Sequence, residues 1–89
     1  MTDFDGDLKI IRSVGNGQYM FYCPGCECCH SFIIPRWTWN EDIEKPTVSP
    51  SILVKRPSIC HLFIRNGMLE FLQDCLHKFA GKTVPMEKF

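Results

Sequence analysis

Residues 60–81, CHLFIRNGMLEFLQDCLHKFAG, constrain the fold of this chain more tightly than any other stretch. Asn66-Gly67 places side by side two residues that tolerate positive φ, which a two-residue hairpin turn requires. With that turn fixed, Arg65 faces Met68, Leu62 faces Phe71 and Cys60 faces Gln73. Side chains alternate along a strand, so Cys60, Leu62, Ile64, Leu69 and Phe71 share one apolar face that looks into the core. After the second strand, Asp74 stands where an N-cap belongs, residues 75–80 have the length of a short helix, and Gly81 can supply a left-handed stop. The hairpin thus gathers Cys60 and His61 on one arm, with Cys75 and His77 just past the other.

The complement to these four is Cys23-Pro24-Gly25-Cys26. Two cysteines separated by Pro and Gly make a tight knuckle, whose two thiolates reach one tetrahedral ion at about 2.3 Å. Thioredoxin-like redox sites share the C-x-x-C spacing, but they sit at a helix N-terminus in a βαβ arrangement. Here the motif follows an aromatic strand, residues 18–22 (QYMFY), and precedes another, residues 31–34. With Cys/His pairs downstream, zinc is the preferred reading.

Size argues for such a staple. A chain of 89 residues buries only roughly 60% of its accessible surface on folding and needs help to stay folded. Hydrophobic content of 45% with 22% charged residues is ordinary for a globular domain. The formal net charge is zero, which disfavours nucleic-acid binding through the phosphate backbone. The acidic start MTDFDGDLK lacks the build of a secretory signal, and no apolar run approaches the ~20 residues that cross a bilayer. Six cysteines in that setting imply metal in a reducing cytoplasm rather than disulfides. The expectation is one zinc-stapled domain over residues 1–89, with 1–7 a loose lead-in.

Elsewhere, residues 8–14 and 18–22 read as two strands joined at Gly15, Asn16 and Gly17. Trp37 and Trp39 share one face of an extended segment; core packing is preferred, while a contact surface completed by Arg36 is the functional alternative. The acidic, proline-bearing residues 40–50 read as a solvated extended loop. Residues 51–54 (SILV) are a strand candidate, and residues 82–86 an edge strand or a tail, because Pro85 cannot donate to a ladder.

A closed structural zinc site takes four ligands. Cys23 and Cys26 supply half. Cys60 lies on the inward face and is preferred over His61, whose neighbouring position points it the other way. From the last segment His77 is chosen, giving Cys23, Cys26, Cys60 and His77, with Cys75, His61 and His30 in reserve. His30 qualifies through a C-x-x-C-x-x-x-H spacing. Cys28 and Cys29 read as small fillers. Asp74, besides capping, could orient His61 or His77. The expected class is small β-rich α+β: zinc-ribbon-like antiparallel hairpins with one short C-terminal helix.

The ordered motifs C-P-x-C (residues 23–26), W-x-W-N (37–40), P-T-x-S-P-S (46–51), C-H-x-F-I-x-x-G (60–67) and F-L-x-D-C-x-H-x-x-A-G-x-T-V (71–84) cover about three quarters of the chain. Together they resemble a family of small phage and prophage proteins, some carrying the label "ammonia monooxygenase". The resemblance implies a compact zinc-binding β-rich domain and brings no settled activity. Some relatives lie near ubiquitin-like conjugation genes. This chain departs from the pattern after the knuckle, with Glu27 at a common glycine and an unusual Cys28-Cys29.

Three functions follow as expectations. The first is a zinc-stapled interaction module with a protein partner, which the phage resemblance extends to an inhibitor or adaptor of a host defence factor. The second is a zinc hydrolase or deaminase, disfavoured by the absence of H-E-x-x-H and of H-x-E…P-C-x-x-C. The third is a thiol enzyme using Cys75 and His77. No catalytic residue is assigned.

Overall fold

Turn chemistry lays out the chain. The computed structural model describes residues 8–56 and 58–89, so the expected lead-in at 1–7 lies outside the described residues. Eight strands follow in order: β1 (Arg12–Gly15), β2 (Gln18–Cys23), β3 (Cys28–Ile33), β4 (Thr38–Trp39), β5 (Val48–Val54), β6 (Cys60–Arg65), β7 (Met68–Phe71) and β8 (Thr83–Pro85). They form two antiparallel meanders, β1-β2-β3 and β4-β5-β6-β7-β8. Positive φ falls on Asn16 and Gly17 between β1 and β2, and on Asn66 (54°) and Gly67 (79°) between β6 and β7. The second pair is the two-residue turn that Asn-Gly favours, and it sets the register Arg65↔Met68, Ile64↔Leu69 and Leu62↔Phe71.

The expected α+β class and its C-terminal helix are overturned: the described residues are all-β, with no helix. Residues 72–82 form successive turns instead. The Leu72 carbonyl accepts from both Cys75 N–H and Gly81 N–H, Ala80 N–H donates to the His77 carbonyl, and Lys82 N–H to that of Phe79. Leu76 N–H is drawn away to the carbonyl of Ile59. Six residues offer too few i→i−4 bonds to offset helix nucleation, and the tertiary bonds available to this segment are better. Asp74 therefore caps nothing; its carboxylate goes to His61. Gly81 does take positive φ (75°), within a turn. The β6–β7 ladder stops at Leu62↔Phe71, so the expected Cys60–Gln73 pair does not form. As expected, β8 is an edge strand.

Strand alternation builds one core between the sheets. Phe21 and Cys23 of β2, Phe32 of β3, Val48 and Ile52 of β5, Cys60, Leu62 and Ile64 of β6, and Leu69 and Phe71 of β7 are all buried in one cluster. Each large apolar side chain removed from water contributes about 1.5–3 kcal/mol. Trp39 bridges the sheets: its ring lies 4.9 Å from that of Tyr19 and 6.3 Å from that of Phe32. The loop before β5 is ordered by its own polar side chains. Asn40 Oδ1 accepts from Asp42 N–H and Thr47 N–H, and Asp42 Oδ1 from Glu44 N–H and Lys45 N–H.

The β6–β7 turn is also a tertiary junction, since Gly67 N–H donates to the Pro46 carbonyl and Met86 N–H to that of Gly67. A Cβ at Gly67 would stand 3.3 Å from the Glu44 carbonyl oxygen. Gly67→Ala is expected to lower unfolding free energy by about 1–2 kcal/mol through the left-handed backbone alone, measurable by urea denaturation.

Candidate active site and metal centre

Two clusters flank β6, and its alternation separates them. Cys60 points into the core and His61, the next residue, points out.

On the inner side, the β2–β3 hairpin delivers the knuckle. Cys23 pairs with Cys28 across the hairpin; Glu27 N–H donates to the Cys23 carbonyl and Cys26 N–H to Cys23 Sγ at 3.4 Å. Cys23 Sγ meets Cys60 Sγ of the other sheet at 3.8 Å. One ligand atom from each of Cys23, Cys26, His30 and Cys60 lies within 4.8 Å of all the others, and the group can hold a metal ion. A second group, Cys60, Cys75 and His77, shares Cys60. The six cysteines are free thiols, with Cys23, Cys60 and Cys75 buried.

The electrostatics fit a cation. Hydrogen bonding with Cys60 pulls the Cys23 thiol down to about 4. The same hydrogen bond pushes the Cys60 thiol far above its ordinary value, and burial pushes Cys26 up to about 11. One thiolate thus opposes the next, and a divalent cation is what allows three to coexist. His30, 7% exposed, carries a buried Nε2 with no hydrogen-bond partner. A ring nitrogen in that state, beside three sulfurs, suits a metal.

The other histidine differs. Phe79 N–H donates to His77 Nδ1 at 3.2 Å, which leaves the ring proton on Nε2. That nitrogen faces Cys60 Sγ at 3.4 Å, as a donor to sulfur. The ring of His77 lies against Gly25 of the knuckle and edge-on to Phe71 at 4.6 Å.

On the outer side, β5 departs from regular pairing. Val48 pairs with Ile64 and Ile52 with Leu62, so Ser49, Pro50 and Ser51 together oppose the single residue Phe63. Val48 and Ile52 stay buried while Ser51 is half-buried on the opposite face. There Ser51 Oγ lies 3.0 Å from His61 Nε2, and His61 Nδ1 lies 3.1 Å from Asp74 Oδ2. A carboxylate only accepts, so Nδ1 carries the proton and Nε2 is left to accept from the serine hydroxyl. Ser, His and Asp stand in the order and tautomer of a nucleophile–base–orienter chain. Trp37 Nε1–H donates to the Ser51 carbonyl at 3.3 Å.

The model of the family described as "Bacterial ubiquitination-like system serine protease (BubE)" matches residues 2–72. The chain belongs to that family. The BubE match spans Ser51 and His61 and ends just before Asp74, whose place beside His61 rests on the geometry. No curated protein and no solved structure matches the chain. Among the described residues no helix is long and apolar enough to cross a membrane.

Of the sequence-derived ligands, Cys23, Cys26 and Cys60 are brought together, and the reserve His30 joins them in the four-member group while His77 reaches Cys60. Reserve Cys75 instead bonds the backbone of His61. Reserve His61 lies on the outer face with Ser51 and Asp74. Of the residues expected to meet a partner, Trp37 and Trp39 are half-buried, and exposed Arg36 sits 5.9 Å over the Trp37 ring. The sequence reading passed over Ser51. Locally it closes the P-T-x-S-P-S run and opens an apolar strand, and nothing local places β5 beside β6.

A methyl group at Gly25 would collide with the His77 imidazole. Gly25→Ala is therefore expected to displace that ring and destabilise the domain by about 1–3 kcal/mol, as overpacking does, measured by thermal melting.

Proposed function

We propose that the chain is a serine peptidase in which Ser51 is the nucleophile, His61 the general base and Asp74 the residue that orients His61. The observation that carries this reading is the continuous hydrogen-bond chain from Ser51 Oγ through the imidazole to Asp74, at 3.0 and 3.1 Å. Membership of a family described as a serine protease supports it independently. It replaces the expectation of a non-catalytic interaction module.

In the first step His61 Nε2 takes the hydroxyl proton as Ser51 Oγ bonds to the scissile carbonyl carbon. The imidazolium returns that proton to the leaving amine as the C–N bond breaks, leaving an ester on Ser51. Water, deprotonated by the same nitrogen, then attacks the ester carbonyl, and as the bond to Ser51 Oγ breaks the imidazolium returns the proton to that oxygen. Asp74 stabilises the imidazolium without accepting its proton. The site is open: the His61 side chain is 25% exposed and that of Asp74 57%. A substrate broad enough to cover both would exclude water and strengthen the His61–Asp74 pair. That favours a folded protein substrate over a short peptide. The family is described as the serine protease of a bacterial ubiquitination-like system, which supports a modifier-linked substrate, and the bond we assign is a peptide or isopeptide bond to a ubiquitin-like modifier.

We further propose that the inner cluster holds zinc through Cys23, Cys26, Cys60 and His30. Three sulfurs and one nitrogen are a closed zinc set. The unpartnered His30 Nε2 favours that histidine over His77, whose protonated Nε2 donates to Cys60. Zinc here has a structural role and leaves the chemistry to the outer face. No observation in the structure favours a zinc hydrolase or a Cys75–His77 thiol enzyme.

Two measurements test these assignments. A fluorophosphonate probe should label Ser51, and Ser51→Ala or His61→Ala should lower turnover by about 10⁶-fold, with Asp74→Asn costing about 10⁴-fold. Purified protein should contain one zinc per chain by plasma emission; Cys26→Ser and His30→Ala should lower it, whereas His77→Ala should keep the metal.

A further inference from the structure

We infer that Cys75 is a positioning residue for the proposed triad, a thiol that stands in for a missing peptide group of β7 and fixes the backbone of His61. This inference rests on the serine-peptidase reading. The pairing of β7 with β6 ends at Phe71, yet the backbone N–H and C=O of His61 still point to that side. One half of the lost ladder survives, since Leu72 N–H donates to the His61 carbonyl at 2.9 Å. The other half does not, because the Leu72 carbonyl has turned away to Cys75 N–H and Gly81 N–H.

The Cys75 side chain takes its place. His61 N–H donates to Cys75 Sγ at 3.2 Å, and the thiol donates back to the His61 carbonyl at 3.1 Å. What is missing there is an acceptor for His61 N–H; the Cys75 sulfur supplies it, and its S–H adds a second donor to the His61 carbonyl. Cys75 is 6% exposed, so its loss would leave a buried N–H unsatisfied. Because Asp74 precedes it, consecutive residues hold His61 twice: Asp74 by the ring and Cys75 by the backbone. A thiolate ligand would face the His61 carbonyl oxygen lone pairs at 3.1 Å, so Cys75 belongs to the triad's support rather than to the metal.

The test compares parent, Cys75→Ala and Cys75→Ser proteins by amide hydrogen exchange of His61, the downfield His61 Nδ1–H resonance, zinc content and the rate of Ser51 labelling by a fluorophosphonate. In Cys75→Ala, His61 exchange should rise about fivefold to tenfold, the loss of one hydrogen bond. The Nδ1–H signal should broaden and labelling should slow by about tenfold or more. Zinc should remain at the parental level, and Cys75→Ser, which keeps a donor–acceptor atom, should restore most of the exchange protection and labelling. Unchanged exchange and Nδ1–H signal in Cys75→Ala, or loss of its zinc, would overturn the assignment. A parent that is never labelled, but whose His61 amide and Nδ1–H respond to Cys75→Ala, would support the backbone clip and bring down the peptidase reading alone.

Discussion

The contact between Cys23 and Cys60, 3.8 Å apart, joins the two sheets of this protein at their buried faces, and both clusters of chemically active side chains depend on it. Cys23 ends β2 and Cys60 begins β6, so the junction ties the tip of the β2–β3 hairpin to the start of the β6–β7 hairpin of the other meander. A few fully buried apolar residues and an aromatic bridge through Trp39 add to it. A domain of this size is stable by only about 5–15 kcal/mol, and a structural zinc contributes an apparent energy of about 10–16 kcal/mol. An ion at this junction would therefore weigh as much as the rest of the fold.

One strand carries that constraint to the surface. Because β6 alternates, anchoring Cys60 inward fixes His61 outward, and the two clusters share a single peptide bond without sharing a face. The outer face is completed from either side. The irregular pairing of β5 presents Ser51 with its carbonyl bonded by Trp37. The turns after β7 present Asp74, held by the same segment that sends Cys75 to the His61 backbone. The inner cluster and the proposed triad are thus joined through β6 and the turns after β7, and His77 takes part by packing on Gly25 and donating to Cys60.

The turns after β7 show how tertiary bonding overrides local pattern. Residues 74–81 carry a cap residue, a short periodic stretch and a stop glycine, which together read as a helix. In the folded chain each of those features has another use. Asp74 orients His61, Cys75 satisfies a strand backbone, Leu76 N–H bonds Ile59, and Gly81 closes a turn on Leu72. An isolated helix of that length has almost no stability in water, so any competing set of buried hydrogen bonds decides the outcome.

Local chemistry alone determined the β6–β7 hairpin, its register and its inward face, because an Asn-Gly turn leaves one low-energy pairing and alternation then assigns every side chain. It also marked Cys23, Cys26 and Cys60 as companions, since thiols at knuckle spacing readily share one metal ion. The proposed choice of His30 over His77 rests on which imidazole nitrogen is left without a partner, a property of packing and not of spacing. The triad was decided wholly in three dimensions. Ser51, His61 and Asp74 stand on a strand, its neighbour and a turn, and only the sheet order and the irregular β5 pairing bring their atoms within hydrogen-bond reach.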